Sequence, residues 1–370
     1  MSILLKFNVL ALKICKMKWN CIYIRVKYLV TKWVAFSFLI LTYSCTINSN
    51  APTFSNDAMP LGVKVDAPTP QPEKYLNDLI HPCIRFIPGG FAGHHWWMIA
   101  SPFPNHNVLV ENPILYYGDE DVNGAPPLKW TAVGVIEDTP PVGSLSDPGI
   151  YFDGSGLWCY WRENDTSDCH NLGYRRVTFG KFSQDGRTFG PKKFFAGETS
   201  ESVDHELCPI ICKVNGQVRL YGSHHKFKPE HTPYGLSIWD IKDNNLKDNS
   251  FTKTMDVPVS YALPFDFWHF DIFEDNNVFY CVASAQKATS VFLGKSNDGI
   301  NFTFWKTPLI SNSVTGRTYF YKPSALVHNG IFYLWCPVAE LDSVANSTAF
   351  HRIWMSQINF NDLLVKLDSE

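Results

Sequence analysis

Several kinds of signature are missing from this 370-residue chain, and each absence closes off a class of function. There is no G-x-x-x-x-G-K-[ST] phosphate loop and no G-x-G-x-x-G turn, so the usual nucleotide chemistries are not expected. The 10 cysteines include no C-x-x-C pair and no Cys/His cluster at zinc spacing, so spacing alone predicts no metal-ligand set. No long segment keeps a 3.6-residue apolar period, which argues against a helical architecture. An excess of charge is lacking too. The 32 Lys and Arg against 35 Asp and Glu leave a net charge of −3, giving no basis for a nucleic-acid partner or an anionic membrane surface.

Aromatic residues, in contrast, are plentiful: 12 Trp, 16 Tyr and 27 Phe make up 15% of the chain. Most of these will pack, but aromatic faces are also the platforms on which sugar rings sit. The first 45 residues stand apart. Lys27 and Lys32 precede the apolar run WVAFSFLILTY, which ends at Ser44-Cys45. Eleven residues are too few to span a bilayer comfortably and fit the core of a signal peptide. A small residue before Cys45, with Leu41 four positions upstream, resembles a loose bacterial lipobox. The reading is therefore an export leader over 1–45 with lipidation at Cys45, then a flexible tether over 46–65. It implies a bacterial periplasmic or cell-surface protein that meets the membrane only through its lipid. Met17 is an alternative start to Met1. The cysteines outside the leader sit mostly inside apolar runs and read as packing. Cys159–Cys169, across a loop, is the pairing whose spacing would allow a bridge.

From residue 80 onward, short apolar runs are separated by Gly, Asn, Asp and Pro, an all-β pattern. Five of these runs are variants of one unit. HPCIRFIPGGFAGHHWWMIASP begins at His81, DPGIYFDGSGLWCYWRE at Asp147, CPIICKVNGQVRLYGS at Cys208, HFDIFEDNNVFYCVAS at His269 and KPSALVHNGIFYLWCP at Lys322. Each has a polar or small opening residue, an apolar strand, a tight Asn/Gly/Asp turn and a second, aromatic-rich strand. The turns SQDGRTF (Ser183 to Phe189) and SNDGINF (Ser296 to Phe302) add a second repeat of form S-x-D-G-x-x-F. Its Asp is expected to cap the turn and its Phe to anchor it. Five units of about 60 residues predict a five-bladed β-propeller closing as one domain over 66–370, since radial repetition leaves only short edges. A pair of β-sandwiches would not explain five evenly spaced hairpins.

In a propeller the innermost strands run along a central channel, so their opening residues converge although they are far apart in sequence. That places His81, Asp147, the Asp204-His205-Glu206 triplet, His269 with Asp271, and Lys322 at one mouth. Paired carboxylates there suit glycoside hydrolysis, in which one acid protonates the leaving oxygen and a base activates water.

At this point the chain resembles the five-bladed propeller glycosidases, in particular glycoside hydrolase family 43 and its relatives in families 32, 62 and 117. In family 43 an Asp base opens the first blade, an Asp in a DP motif tunes the acid, and a Glu before Pro in the third blade is the general acid. SDPGIYF matches the second element, which makes Asp147 the orienting carboxylate. HELCPIICKVNGQVRLYG resembles the third, which makes Glu206 the acid, three residues ahead of Pro209 rather than two. HPCIRF departs from the first, since His81 stands where the family has its base. His81 could be the base itself; Asp271 in WHFDIF could supply the carboxylate; or the chain could bind sugars without cleaving them. His269, Arg162, Glu111, Lys322 and Arg317 complete the expected substrate-binding set. The resemblance implies a carbohydrate substrate, a monomer and no redox cofactor, and it leaves room for a structural Ca²⁺ or Na⁺ in the channel.

Overall fold

The computed structural model describes residues 57–121, 124–198, 204–226, 235–259, 268–285, 289–312, 319–341 and 349–369. Strands form where aromatic and β-branched residues alternate between turn residues. Four inner hairpins turn on two residues in the left-handed region: Ala92-Gly93, Asn215-Gly216, Asn276-Asn277 and Asn329-Gly330. Such loops match the right-handed twist of the flanking strands, and Asn and Gly tolerate the positive φ they require.

Five antiparallel sheets result. The first blade is β2 (Leu79–Phe91), β3 (His94–Pro102), β4 (Ile114–Gly118) and β5 (Thr131–Val135). The second is β6 (Ser144–Phe152), β7 (Leu157–Asn164), β8 (Arg176–Ser183) and β9 (Lys193–Glu198). The third is β10 (Asp204–Val214), β11 (Gln217–Lys226), β12 (Gly235–Ile241) and β13 (Phe251–Pro258). The fourth is β14 (Phe270–Asp275), β15 (Val278–Ala285), β16 (Ser290–Ser296), β17 (Thr303–Phe304) and β18 (Ile310–Ser311). In the fifth, β19 (Ser324–His328), β20 (Ile331–Leu341) and β21 (Ala349–Asn359) are joined by β1 (Val63–Lys64) from the other end of the domain. The inner strands contact one another in a closed ring: β2 to β6, β6 to β10, β10 to β14, β14 to β19, and β19 back to β2. The architecture is the five-bladed propeller expected from the repeat.

The start of the domain differs from expectation. Residues 57–65, expected within the flexible tether, are built into the propeller. Ala58 and Met59 are buried, and the Asp57 carboxylate accepts the backbone N–H and the hydroxyl of Ser311, each at 2.7 Å. β1 then closes the ring by pairing with β21. The leader over 1–45, with Cys45, lies outside the described residues.

Both S-x-D-G-x-x-F turns have the expected build. Asp185 accepts N–H bonds from Arg187 and Thr188, as Asp298 does from Ile300 and Asn301. Their glycines, at φ 69° and 67°, lie where a Cβ would stand 2.5 Å from Trp97 and 2.4 Å from Val214, both on the neighbouring blade. The seven cysteines from Cys83 to Cys336 are free thiols, including Cys159 and Cys169. All but Cys212 are buried, as packing residues are.

Candidate functional site

Three of the five inner strands open in the same unusual way. His81, Asp147 and Cys208 each precede a proline and each has positive φ, at 54°, 50° and 63°. At each one the pairing register shifts: between Ile80 and Cys83, between Ser146 and Gly149, and between Leu207 and Ile210. Proline has no N–H for the ladder and is found at bulges, and a bulge re-aims a side chain. Holding a non-glycine residue there costs roughly 1–3 kcal/mol and is typical of functional sites. The X-Pro bulge thus turns the opening residue of a blade toward the shared axis.

Two of the side chains so aimed, His81 and Asp147, gather with His269 into one buried cluster. His269 Nε2 lies 3.2 Å from Asp147 Oδ1, and His81 Nδ1 lies 3.7 Å from the same oxygen. The two imidazole centroids are 4.8 Å apart. Arg162 Nη2 is 2.8 Å from Asp147 Oδ2. Glu111 Oε2 is 3.6 Å from His81 Nδ1 and accepts the Ser146 hydroxyl at 2.8 Å. Asp147 is fully buried, and His81, His269 and Glu111 are each 4% exposed. Among the described residues, both ring nitrogens of His81 and Nδ1 of His269 have no hydrogen-bond partner, whereas Asp147 is held by Arg162 and His269. So many unsatisfied buried polar atoms in one place call for a ligand, because leaving them orphaned is costly.

The electrostatics follow from burial and charge. Burial opposes ionisation of Asp147, but Arg162, His81 and His269 outweigh it and hold the carboxyl well below the usual carboxylate range. Burial, reinforced by Arg162 and Lys322, pushes both histidines down, although Asp147 pulls them up. Glu111 goes the other way. Burial raises its pKa to about 8, with Asp147 adding to the rise while Ser146 and Arg162 oppose it. Two carboxyls pushed apart in this way suit an anion beside a group that trades protons near neutrality.

His81, His269 and Asp147 offer one donor atom each, all within 4.8 Å of one another. A tetrahedral cation with bonds of about 2.0–2.1 Å separates its ligands by about 3.3 Å. The observed 3.2 and 3.7 Å bracket that edge. Two imidazoles and one carboxylate are a donor set for Zn²⁺ or a similar divalent ion. Sequence spacing could not find it, because its members come from three blades, 66 and 122 residues apart by their numbers.

The remaining expected site residues divide. Arg162 borders the cluster, and Lys322, fully buried, donates to the Pro148 carbonyl at 2.9 Å. Asp271 does not join the cluster. It accepts both terminal nitrogens of Arg85, at 2.8 and 2.7 Å, and the Ser324 hydroxyl at 2.7 Å. His269 and Asp271 share a face, as the alternation predicts, but two residues move the side chain about 6.6 Å along the channel. Asp271 therefore meets Arg85 rather than Asp147. Arg85 lines a separate cavity of about 390 Å³, which takes residues three to seven positions further along each inner strand and so marks the opposite mouth. The Glu206 backbone pairs with His224 in β10/β11, but its side chain lies outside the described residues, as does Arg317. Two aromatic residues also border the cluster, Trp268 and Tyr321.

Neither a protein-family model nor a curated protein sequence matches the chain. Solved structures do. An N-acetylgalactosamine deacetylase from F. plautii, in complex with blood group B trisaccharide, superposes with a TM-score of 0.64 at 16% identity, over 84% of this chain and 98% of its own. A GH43_1 enzyme from Xanthomonas citri gives 0.56 at 13% identity, over 80% and 91%. A GH43 β-xylosidase/α-arabinofuranosidase from a compost microbial metagenome, in complex with xylotriose, gives 0.54 at 13%, over 76% and 92%. The chain thus has the propeller fold that carbohydrate-active enzymes of family 43 share with a sugar deacetylase.

Proposed function

We propose that the protein is an exported carbohydrate-active hydrolase that removes an N-acyl group from an amino sugar, with a divalent cation held by His81, His269 and Asp147. The observation that carries this reading is the convergence of three buried donor groups, two of them imidazoles with orphaned ring nitrogens, beside Glu111, a carboxyl whose pKa is raised to about 8. The sugar deacetylase neighbour, matched over nearly its whole length, supports it.

A cation at this position supplies Lewis-acid polarisation of the amide carbonyl. The chain's own residues supply the rest. Arg162 keeps Asp147 anionic. Glu111 takes a proton from the water whose oxygen adds to the carbonyl carbon. It returns that proton to the nitrogen as the C–N bond breaks, releasing a free amine and a carboxylic acid. Export through the 1–45 leader and lipidation of Cys45 belong to the same proposal, tested by whether Cys45→Ala releases the protein from the membrane fraction.

A second reading is glycoside hydrolysis, with Glu206 as acid, Asp147 as orienting carboxylate and His81 in the base position. It is favoured by the xylosidase neighbours and by the Arg162-held carboxylate at the DP motif. One experiment separates the two. The full chain is stripped with chelator, reloaded with Zn²⁺, Co²⁺ or Mn²⁺, and assayed on plant, algal and host glycans for acetate and reducing-sugar release. Acetate release that vanishes on stripping, returns with a cation and is absent in Asp147→Asn is the expected result. Reducing-sugar release that ignores the chelator and disappears in Glu206→Gln would install the glycosidase reading. Binding with no cleavage of either kind would leave a sugar-binding protein.

A further inference from the structure

Two aromatic side chains flank the cluster, and no step described so far uses them. The Trp268 indole lies against the His269 imidazole, with centroids 4.4 Å apart and a 36° tilt. It meets the Tyr321 ring at 5.8 Å and 47°. Tyr321 in turn is 6.0 Å from His81 and 6.3 Å from His269. Both rings are half-buried, whereas the histidines beneath them are buried. The pair therefore stands between the donor cluster and solvent.

Both rings are held from behind. The Trp268 N–H donates to Ser284 O at 3.1 Å, and the Ser284 N–H returns to His269 O at 2.7 Å. The Tyr321 N–H donates to Pro337 O at 3.2 Å. Its ring is met edge-on by His351 at 5.0 Å and 88°, and by Phe103 at 6.0 Å. His351 is itself fixed by a fully buried contact with Asp78 at 3.1 Å. The polar tips of these rings are uncommitted: among the described residues neither the indole N–H nor the phenol hydroxyl has a hydrogen-bond partner. Burial, and then Glu111, push the Tyr321 phenol up, so at neutral pH it is a hydroxyl able to donate. Rigid amphipathic rings with free polar tips are the usual means of gripping a ligand that is apolar on one face and hydroxylated at its edge.

We infer that Trp268 and Tyr321 form the platform on which the pyranose ring of an N-acylated amino sugar stacks, so that these two residues, rather than the cation cluster, select a sugar over other amides. This rests on the deacylase reading above. The ring's C–H face lies on the indole, its hydroxyls meet the free phenol and indole tips, and its N-acyl group reaches the donor cluster.

The test uses the Zn²⁺-loaded full chain with N-acetylgalactosamine and N-acetylglucosamine oligosaccharides, and Nε-acetyl-lysine as an amide without a sugar ring. Wild type should prefer the sugars. Trp268→Ala should raise KM for them about tenfold or more, leave acetyl-lysine turnover within a few-fold, and retain its cation, measured by direct metal analysis. Trp268→Phe should recover most of the sugar preference, and Tyr321→Phe should lose only the share owed to the hydroxyl. If Trp268→Ala keeps its cation and its sugar KM is unchanged, the platform is refuted while the deacylase reading stands. If it hydrolyses both substrate classes equally poorly, through kcat, the ring serves His269 and not the sugar, which also overturns the proposal. If wild type binds no cation, the deacylase reading fails first, and sugar binding followed by Trp fluorescence still judges the platform: unchanged affinity in Trp268→Ala refutes it.

Discussion

Asp271 and Arg85 form a two-point ion pair, with both guanidinium nitrogens within 2.8 Å of the carboxylate. The pair joins the inner strands of the first and fourth blades, and Ser324 adds the fifth by donating to Asp271 while accepting the Ile84 N–H at 3.0 Å. Asp271 is fully buried and Arg85 is 20% exposed at its side chain. Removing one partner of such a pair leaves the other charge uncompensated, at a cost of about 3–5 kcal/mol. Asp271→Ala should therefore lower the unfolding free energy, read from urea denaturation, by an amount in that range. A variant that keeps its stability but loses all activity would show that Asp271 acts in catalysis instead.

Glu111 should behave in the opposite way. It borders the cluster without being needed to close the ring of blades. Glu111→Gln is expected to lower kcat by about 10²–10⁴-fold, the usual loss on removing a general base. Cation content and thermal midpoint should stay close to wild type. Loss of the cation in this variant would make Glu111 a ligand rather than a base.

The fold was legible because its local signals agree. Asn-Gly and Asn-Asn turns sit at the tips of inner hairpins, the five openings recur at near-constant intervals, and the Asp of each S-x-D-G-x-x-F turn meets its own backbone. The convergence of His81, Asp147 and His269 was legible from the same repeat. What stayed hidden is depth. Alternation puts His269 and Asp271 on one face but does not say that a two-residue step carries the second carboxylate past the cluster to Arg85. Nor does any pattern of apolar residues announce β1, a two-residue Val-Lys strand whose position depends wholly on β21. Trp268 went unmarked because a tryptophan beside a histidine looks like packing until its indole proves half-buried and, among the described residues, without a hydrogen-bond partner.

The S-x-D-G-x-x-F turns give a pH dependence with a defined sign. Partial burial opposes ionisation of Asp298, but the N–H of Asn301, the Ser296 hydroxyl, the Asn301 side chain and the N–H of Ile300 together outweigh it, and the pKa falls. A depressed carboxyl pKa adds stability above its unfolded value, about 3.9, and that stability is lost as pH falls toward the folded value. Asp298→Asn should cost about 1 kcal/mol at pH 7, in the range of a turn cap. The gap between wild type and variant should close as unfolding is measured at successively lower pH below about 4. A gap independent of pH would mean that the carboxylate charge plays no part in the turn.

The seam of the propeller offers the sharpest test of how the ring is closed. The Gly62 N–H donates to the Ser356 hydroxyl at 2.9 Å, just before β1 pairs with β21. A Cβ on Gly62 would stand 1.8 Å from the Met355 carbonyl oxygen, a backbone atom that cannot move without breaking the sheet. Gly62→Ala must therefore peel β1 from β21, exposing Val65 and the blade edge it covers. Ser356→Ala removes only the hydrogen bond and leaves the fit intact. The first variant should lose about 2 kcal/mol or more, as overpacking does, and the second about 1 kcal/mol, both read from chemical denaturation. Because the seam lies between the first and last strands of the ring, Gly62→Ala should also make residues 57–65 the first to be cut in limited proteolysis. Equal stability of Gly62→Ala and wild type would mean that the ring holds without its latch.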